Sequence, residues 1–257
     1  MTKIKQFAAP IFTCFLFLIL IIGFASLNNQ NEDSTTMVVE AQATGEAAEV
    51  KSPPAEKQKA AAPGETAASP ETAQDPLLIL VNSETPLPED YQITPRLYSD
   101  IVVDISIYDS LIKLIDASSK ENLSLWVASG YRSVQDQEKI LDAAVQENKS
   151  KGMSDSESRA LASRTIADPL HSEHNTGLAV DFNTVSEDFA ATEEYKWLCE
   201  HAHEYGFVQR YEAEKADITK IDEEVWHYRY VGKRHAARMK ELDMCLEEYC
   251  LYLQKQG

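Results

Sequence analysis

Residues 28–75 contain no aromatic residue and consist largely of Ala, Glu, Pro, Thr, Ser and Gln. A stretch of this kind cannot bury enough apolar surface to offset the entropy of ordering it. A globular fold is therefore confined to residues 76–257, which hold all six histidines, all three tryptophans and all eleven tyrosines. That length suits one domain of ordinary size. Residues 28–75 read as a disordered tether, with an r.m.s. span of roughly 40 Å for a flexible chain.

Ahead of the tether, Lys3 and Lys5 precede an apolar run at residues 7–27 that carries no charge. About 20 apolar residues suffice to cross a bilayer. Lysines before the run, with Glu32 and Asp33 after it, favour an inside N-terminus and a domain outside the membrane. The alternative is a cleaved signal peptide, for which Gly23-Phe24-Ala25 offers small residues, although the run is longer than a usual signal core. Lipidation at Cys14 is disfavoured, because that cysteine lies within the apolar run behind Ile11-Phe12-Thr13.

The net charge of −18 is unevenly distributed. Lys3 and Lys5 make the first segment +2, nine acids against three lysines make the tether −6, and the remaining −14 falls on the domain. So acidic a surface argues against a nucleic-acid partner, whose phosphates need lysine and arginine. Only Cys199, Cys245 and Cys250 lie in the domain. A disulfide framework is not expected. With no CxxC pair, a cysteine metal site is not expected either.

Periodicity places helices and short strands in an order that is neither strictly alternating nor all-β. Asp104 caps a helix in which Ile105, Tyr108, Leu111, Ile112 and Ile115 recur. A strand is expected over 123–128, a helix over 133–148, and a third helix behind the Ser154/Glu157 capping box. Residues 177–182 read as a strand, 192–205 as a helix ended by Gly206, 227–231 as a strand, and 233–253 as one last amphipathic helix. Trp126 and Trp197 read as core, and Trp226 as a wall of the site. The class is α+β: a small, mainly antiparallel sheet backed by helices.

The chemistry concentrates in two segments. In a strand, the period of two puts Gly177, Ala179 and Asp181 on one face and Leu178 and Val180 on the other. The small residues leave room beside the Asp181 carboxylate, and His174 stands on the turn leading in. The second segment sets His227 three residues after Glu224, among Trp226, Tyr228 and Tyr230. Two histidines and an aspartate with one open position suit catalytic Zn2+, and Glu224 is then the base that receives the proton of the attacking water. A spacing of three points two side chains of an extended strand to opposite faces, so a bulge is required between them. Glu173 is the nearest alternative acid in sequence. His201, His203 and His235 read as packing or solvated residues, and His171 as lining the pocket entrance without being a fourth ligand.

Three motifs carry a family resemblance: Ser129-Gly-Tyr-Arg132 running to Gln137, Ser172-Glu-His174 running to Asp181, and Glu224-Val-Trp-His227 running to Val231. Together they resemble the VanY-type D-alanyl-D-alanine carboxypeptidases, zinc enzymes of bacterial walls. The resemblance implies a single Hedgehog-like zinc carboxypeptidase domain in which His174, Asp181 and His227 hold the metal and Glu224 is the base. It implies that Arg132 grips the substrate's terminal carboxylate or polarised carbonyl, and that Ser172 and Gln137 contact substrate. The partners it implies are peptidoglycan stem peptides. One departure is a glycine often found shortly before the Ser-x-His, where this chain has Asp168-Pro-Leu-His171. D,D- and L,D-carboxypeptidases share these motifs. An endopeptidase and an inactive wall-binding module are the remaining readings.

Overall fold

The computed structural model describes residues 75–256. The apolar run at 7–27 and residues 28–74 lie outside them. Among the described residues no helix is long and apolar enough to cross a membrane.

A hairpin of β1 (Pro95–Tyr98) and β2 (Ile101–Asp104) opens the domain and leads into α1 (Ile105–Lys120). Asp104 caps α1 by accepting from the amide of Ser106, as its place before an apolar-periodic run predicts. Ile107, Leu111 and Leu114 then line the buried face of the helix. Then come β3 (Val127–Ser129), α2 (Val134–Ser150) and α3 (Asp155–Ala162), the last opened by the expected Ser154/Glu157 capping box. After β4 (Ala179–Phe182) and α4 (Glu193–His201) the chain forms β5 (Phe207–Tyr211), a short α5 (Ala216–Thr219) and β6 (Glu224–Tyr230). Two helices, α6 (Lys233–Leu242) and α7 (Leu246–Gln256), complete it.

Four strands form one antiparallel sheet in the order β3-β4-β6-β5. Helix α1 packs on it through a core that includes Leu114, Val180, Phe182, Phe207 and Tyr228. A second cluster, built on Leu78, Met239, Leu246, Tyr249 and Leu253, holds α6 and α7 together. The expected α+β class, a small antiparallel sheet backed by helices, is what the chain adopts.

Several expectations are corrected. The last helix is two helices, because Asp243 turns into the left-handed region (φ 53°) and Leu246 and Tyr249 are both fully buried after the break. Gly177 is not part of β4. Its φ of 70° ends a 3-10 turn, and a Cβ there would meet the Asp104 amide nitrogen at 3.0 Å. Trp126 is not core: it is 51% exposed, in the segment just before the edge strand β3. Trp197 is buried as expected, and Trp226 is half-buried against the main core.

The first described residues are fastened to the body. Nη2 of Arg229 donates to the carbonyls of Leu77 (3.0 Å) and Ile79 (2.8 Å), and Asp75 lies 3.3 Å from Nε2 of His235. His235 is accordingly a buried packing residue, bonded through Nδ1 to the Tyr249 hydroxyl.

Candidate metal centre

Sheet register places the first elements of the site. Ser129 of β3 pairs with Asp181 of β4, and Asp181 pairs with His227 of β6, so the three lie in one row across the sheet. His174 comes from the 3-10 turn at Glu173–Thr176, which Ser172 caps by accepting from the His174 amide at 3.3 Å. Three hydrogen bonds fasten this turn to the segment after β3. The Gly130 carbonyl accepts from His174 Nδ1 (2.7 Å), the His174 carbonyl from the Arg132 amide (3.1 Å), and the Arg132 carbonyl from Asn175 Nδ2 (2.8 Å). Gly130 is required for that approach, since a Cβ would sit 2.5 Å from the Val102 carbonyl oxygen.

With Nδ1 committed to Gly130, His174 presents Nε2 to Asp181 Oδ2 at 3.3 Å. His227 presents the opposite nitrogen: its Nδ1 lies 3.4 Å from Asp181 Oδ1 and 3.4 Å from Glu224 Oε2. One donor atom from each of His174, Asp181 and His227 falls within 4.8 Å of the others, and all three residues are buried. Asp181 Oδ1 is buried with no hydrogen-bond partner, as an oxygen reserved for a cation would be. Two imidazoles, a carboxylate and a nearby acid are a donor set that suits Zn2+.

Glu224 reaches the same space because β6 is irregular. Gln209 of β5 pairs with Tyr228 and Tyr211 with Glu224, so two steps along β5 face four along β6. That bulge turns Glu224 and His227 to one side. Glu224 is buried, and its pKa is raised to about 8 by desolvation, against the pull of His227 and with a push from the Asp181 charge. Burial opposes ionisation of Asp181, but His174, His227 and Arg132 together hold it well below the usual carboxylate range. Desolvation, then Arg132, lower the pKa of His174 and favour the neutral ring that a metal needs.

Arg132 donates through Nη2 to Asp181 Oδ2 at 2.8 Å, and through Nε and Nη2 to Ser129 Oγ at 3.0 and 2.8 Å. Its side chain keeps 24% exposure, so the guanidinium stands at the edge of the site. Gln137 is buried on α2, where Nε2 donates to the Ala167 carbonyl at 2.8 Å and Oε1 has no partner. A small cavity of about 60 Å³ lies alongside, bounded by His171, Asn82, Lys220 and Tyr211. The Tyr211 ring is 4.9 Å from that of His227, which joins the cavity to the metal-facing residues. His171 thus borders the cavity, its Nδ1 hydrogen-bonded to the Asn82 carbonyl, and it is outside the ligand group.

Residue pattern alone missed the layer behind these groups. Glu173 is fully buried and faces the far side of His227, its Oε2 3.5 Å from Nε2, which places it away from Glu224. Its Oε1 accepts from Arg210 Nε (2.8 Å) and Arg229 Nη1 (2.7 Å), and Arg210 forms a bidentate pair with Glu247. The available signal was an acid directly before a ligand histidine together with one arginine, Arg229, on a predicted strand. Nothing local indicated that they meet.

The fold and this buried His/Asp/His group define a zinc metallopeptidase. Residues 100–233 match the family model described as VanY: D-alanyl-D-alanine carboxypeptidase. A D-alanyl-D-alanine carboxypeptidase of Enterococcus faecalis is 40% identical over 173 residues, covering 67% of this chain and 65% of that protein's length. Two solved structures are each 40% identical over 67% of this chain. One is a VanY D,D-pentapeptidase with Zn(II) (TM-score 0.62, 97% of that chain), and the other VanYB with D-alanine-D-alanine (0.63, 96%). The LD-carboxypeptidase LdcB is 34% identical over 66% of this chain and 83% of its own, with a TM-score of 0.58. The chain belongs to the VanY D-alanyl-D-alanine carboxypeptidase family.

Proposed function

We propose that the chain hydrolyses the last peptide bond of peptidoglycan stem peptides and releases the C-terminal D-alanine, with D-Ala-D-Ala termini as preferred substrate. The observation that carries this reading is the bulge in β6, which faces Glu224 and His227 to one side beside His174 and Asp181. His174 through Nε2, Asp181 and His227 through Nδ1 would hold Zn2+, which supplies a Lewis acid that polarises the scissile carbonyl and acidifies a water.

Glu224 takes the water's proton as general base and delivers it to the departing amine. Burial raises its carboxyl pKa, and a bound cation would bring it back down to where the group can both take and give a proton. Arg132, at the partly open edge, binds the terminal carboxylate or the polarised carbonyl with the donors not engaged by Asp181 and Ser129. Ser172, which shapes the His174 turn, and Gln137, which pins α2 to the Ala167 carbonyl, are placed to support substrate binding from the buried side of the site.

The likeness to LdcB supports L,D-carboxypeptidase action on tetrapeptide stems as the second reading. Incubating the protein with pentapeptide and tetrapeptide stems and weighing the products separates the two. Loss of one residue from pentapeptide supports the first, loss from tetrapeptide alone the second, and no cleavage of either removes both. We also place the domain outside the cell membrane on an anchor at residues 7–27, from the lysines before the run and the acids after it. Protease accessibility of the domain on intact cells, with membrane retention after washing, tests that placement.

A further inference from the structure

The structure assigns Glu173 as a positioning residue that fixes the tautomer of His227, an inference that rests on zinc binding at this site. Two buried atoms without hydrogen-bond partners face each other here, Oε2 of Glu173 and Nε2 of His227, 3.5 Å apart. The other carboxylate oxygen is fully engaged, accepting from Arg210 and Arg229. On the opposite edge of the ring, Nδ1 faces Asp181 and Glu224.

If Nδ1 is the ligand atom, the ring proton belongs on Nε2, and among the described residues the acceptor placed for it is Oε2 of Glu173. A small closure of the pair completes the bond. A carboxylate behind a ligand imidazole fixes ring orientation and raises basicity, and losing one costs roughly 10- to 100-fold in metal affinity. Arg210 and Arg229 both donate to Oε1, which anchors the carboxylate and leaves Oε2 turned toward the ring as the free acceptor. The two ligand histidines are thus supported differently, His174 by the Gly130 backbone and His227 by a side-chain carboxylate.

Glu173→Gln makes the test. The two arginines retain the amide oxygen at the Oε1 position, so the amide nitrogen turns toward His227 Nε2 as a second donor. The ring then favours a proton on Nδ1, where the metal must bind. In the full chain, zinc affinity by chelator competition should fall roughly 10- to 100-fold. A Leu111→Ala core variant, destabilised without touching the site, should stay within about threefold of wild type. Long-range 15N–1H spectra of the zinc-loaded wild-type protein should show the His227 proton on Nε2.

Wild-type affinity in Glu173→Gln, equal loss in Leu111→Ala, or a His227 bound through Nε2 would each overturn the assignment. If Glu173→Gln does not fold, the wild-type spectrum decides. Absence of zinc binding by the wild-type chain is a different failure, since it removes the metal site and Glu173's role together.

Discussion

Glu224 Oε2 lies 3.4 Å from His227 Nδ1, although the two residues stand three apart on one strand. Regular extended geometry would separate them across the sheet, and the bulge against β5 brings them together. Base and ligand are therefore positioned by one local irregularity and share one rigid strand.

Glu224→Gln is expected to keep the fold and the zinc while losing roughly 10²- to 10⁴-fold in kcat. Turnover on a stem pentapeptide, alongside metal analysis, checks this. In the wild type the acid limb of kcat/KM follows ionisation of Glu224, so activity falls as pH drops through its pKa. That pKa is about 8 in the protein alone, and a bound divalent cation lowers it, which sets the limb below pH 8 in the zinc enzyme. Near wild-type turnover in Glu224→Gln would remove this residue as the base.

Gly130→Ala should damage the metal site without changing any side chain in it. The added Cβ meets the Val102 carbonyl at 2.5 Å, so the backbone that accepts from His174 must move. A loss of about 1–3 kcal/mol in stability is expected from overpacking, with zinc affinity reduced roughly 10- to 100-fold. Unchanged zinc affinity would show that the Gly130 carbonyl does not orient His174.

Zinc uptake at pH 7 should release protons. Burial lowers the pKa of His227, but the Asp181 and Glu173 carboxylates on either side of the ring outweigh it and raise the group to about 9, so the ring is doubly protonated at neutral pH before zinc enters. Glu224, at about 8, also holds a proton there. A ligand imidazole must give up one proton, and the cation expels more from Glu224. Calorimetric titration in buffers of different ionisation enthalpy measures the number, and release of no proton would contradict this scheme.

How much of this was legible in the sequence divides along physical lines. His174, Asp181 and His227 could be assembled because turn and strand periodicity place them locally and a metal needs few donors. Helices α1 to α3 were legible through their caps and apolar spacing. The β1–β2 hairpin was not, because β1 is largely exposed and the pair shows no apolar alternation. The burial of Glu173 with Arg210, Arg229 and Glu247 depends on contacts 37 to 56 residues apart, which no local pattern encodes. Trp126 misled because residue type favours burial, whereas its place just before the edge strand leaves half of it in water.

The buried ion network sets the acid limit of stability. Burial alone would raise the pKa of Glu173, but Arg210 and Arg229 hold it far below the usual range, and Glu247 is lowered by Arg210 in the same way. Carboxylates with depressed folded-state values contribute stability that is present above their unfolded pKa of about 4.3 and lost as pH falls below it. Unfolding free energy should therefore drop steeply from about pH 4 downward. Arg210→Ala, which leaves Glu173 and Glu247 less compensated, should cost about 3–5 kcal/mol at pH 7. Denaturant unfolding across pH checks both, and a flat profile below pH 4 would exclude the network as the cause.

Arg132→Lys keeps the charge and loses the planar fork that engages Ser129 and Asp181 together. KM should rise and kcat fall, in contrast to the kcat-centred defect of Glu224→Gln. Steady-state kinetics on the same stem peptide separate the two, and an unchanged KM would remove Arg132 from substrate binding.

The hold of Arg229 on the carbonyls of Leu77 and Ile79 fixes where the catalytic unit can be cut. A chain shortened to begin beyond Ile79 would lose none of the described strands and none of the described α-helices, yet it would strip a buried cation of two acceptors. Leaving a charged donor unsatisfied costs more than the roughly 1–3 kcal/mol of a neutral one. The same guanidinium also braces Glu173. The working edge of the domain is drawn by the needs of one interior arginine, and a trimming series read by thermal melting should break between Asp75 and Leu80.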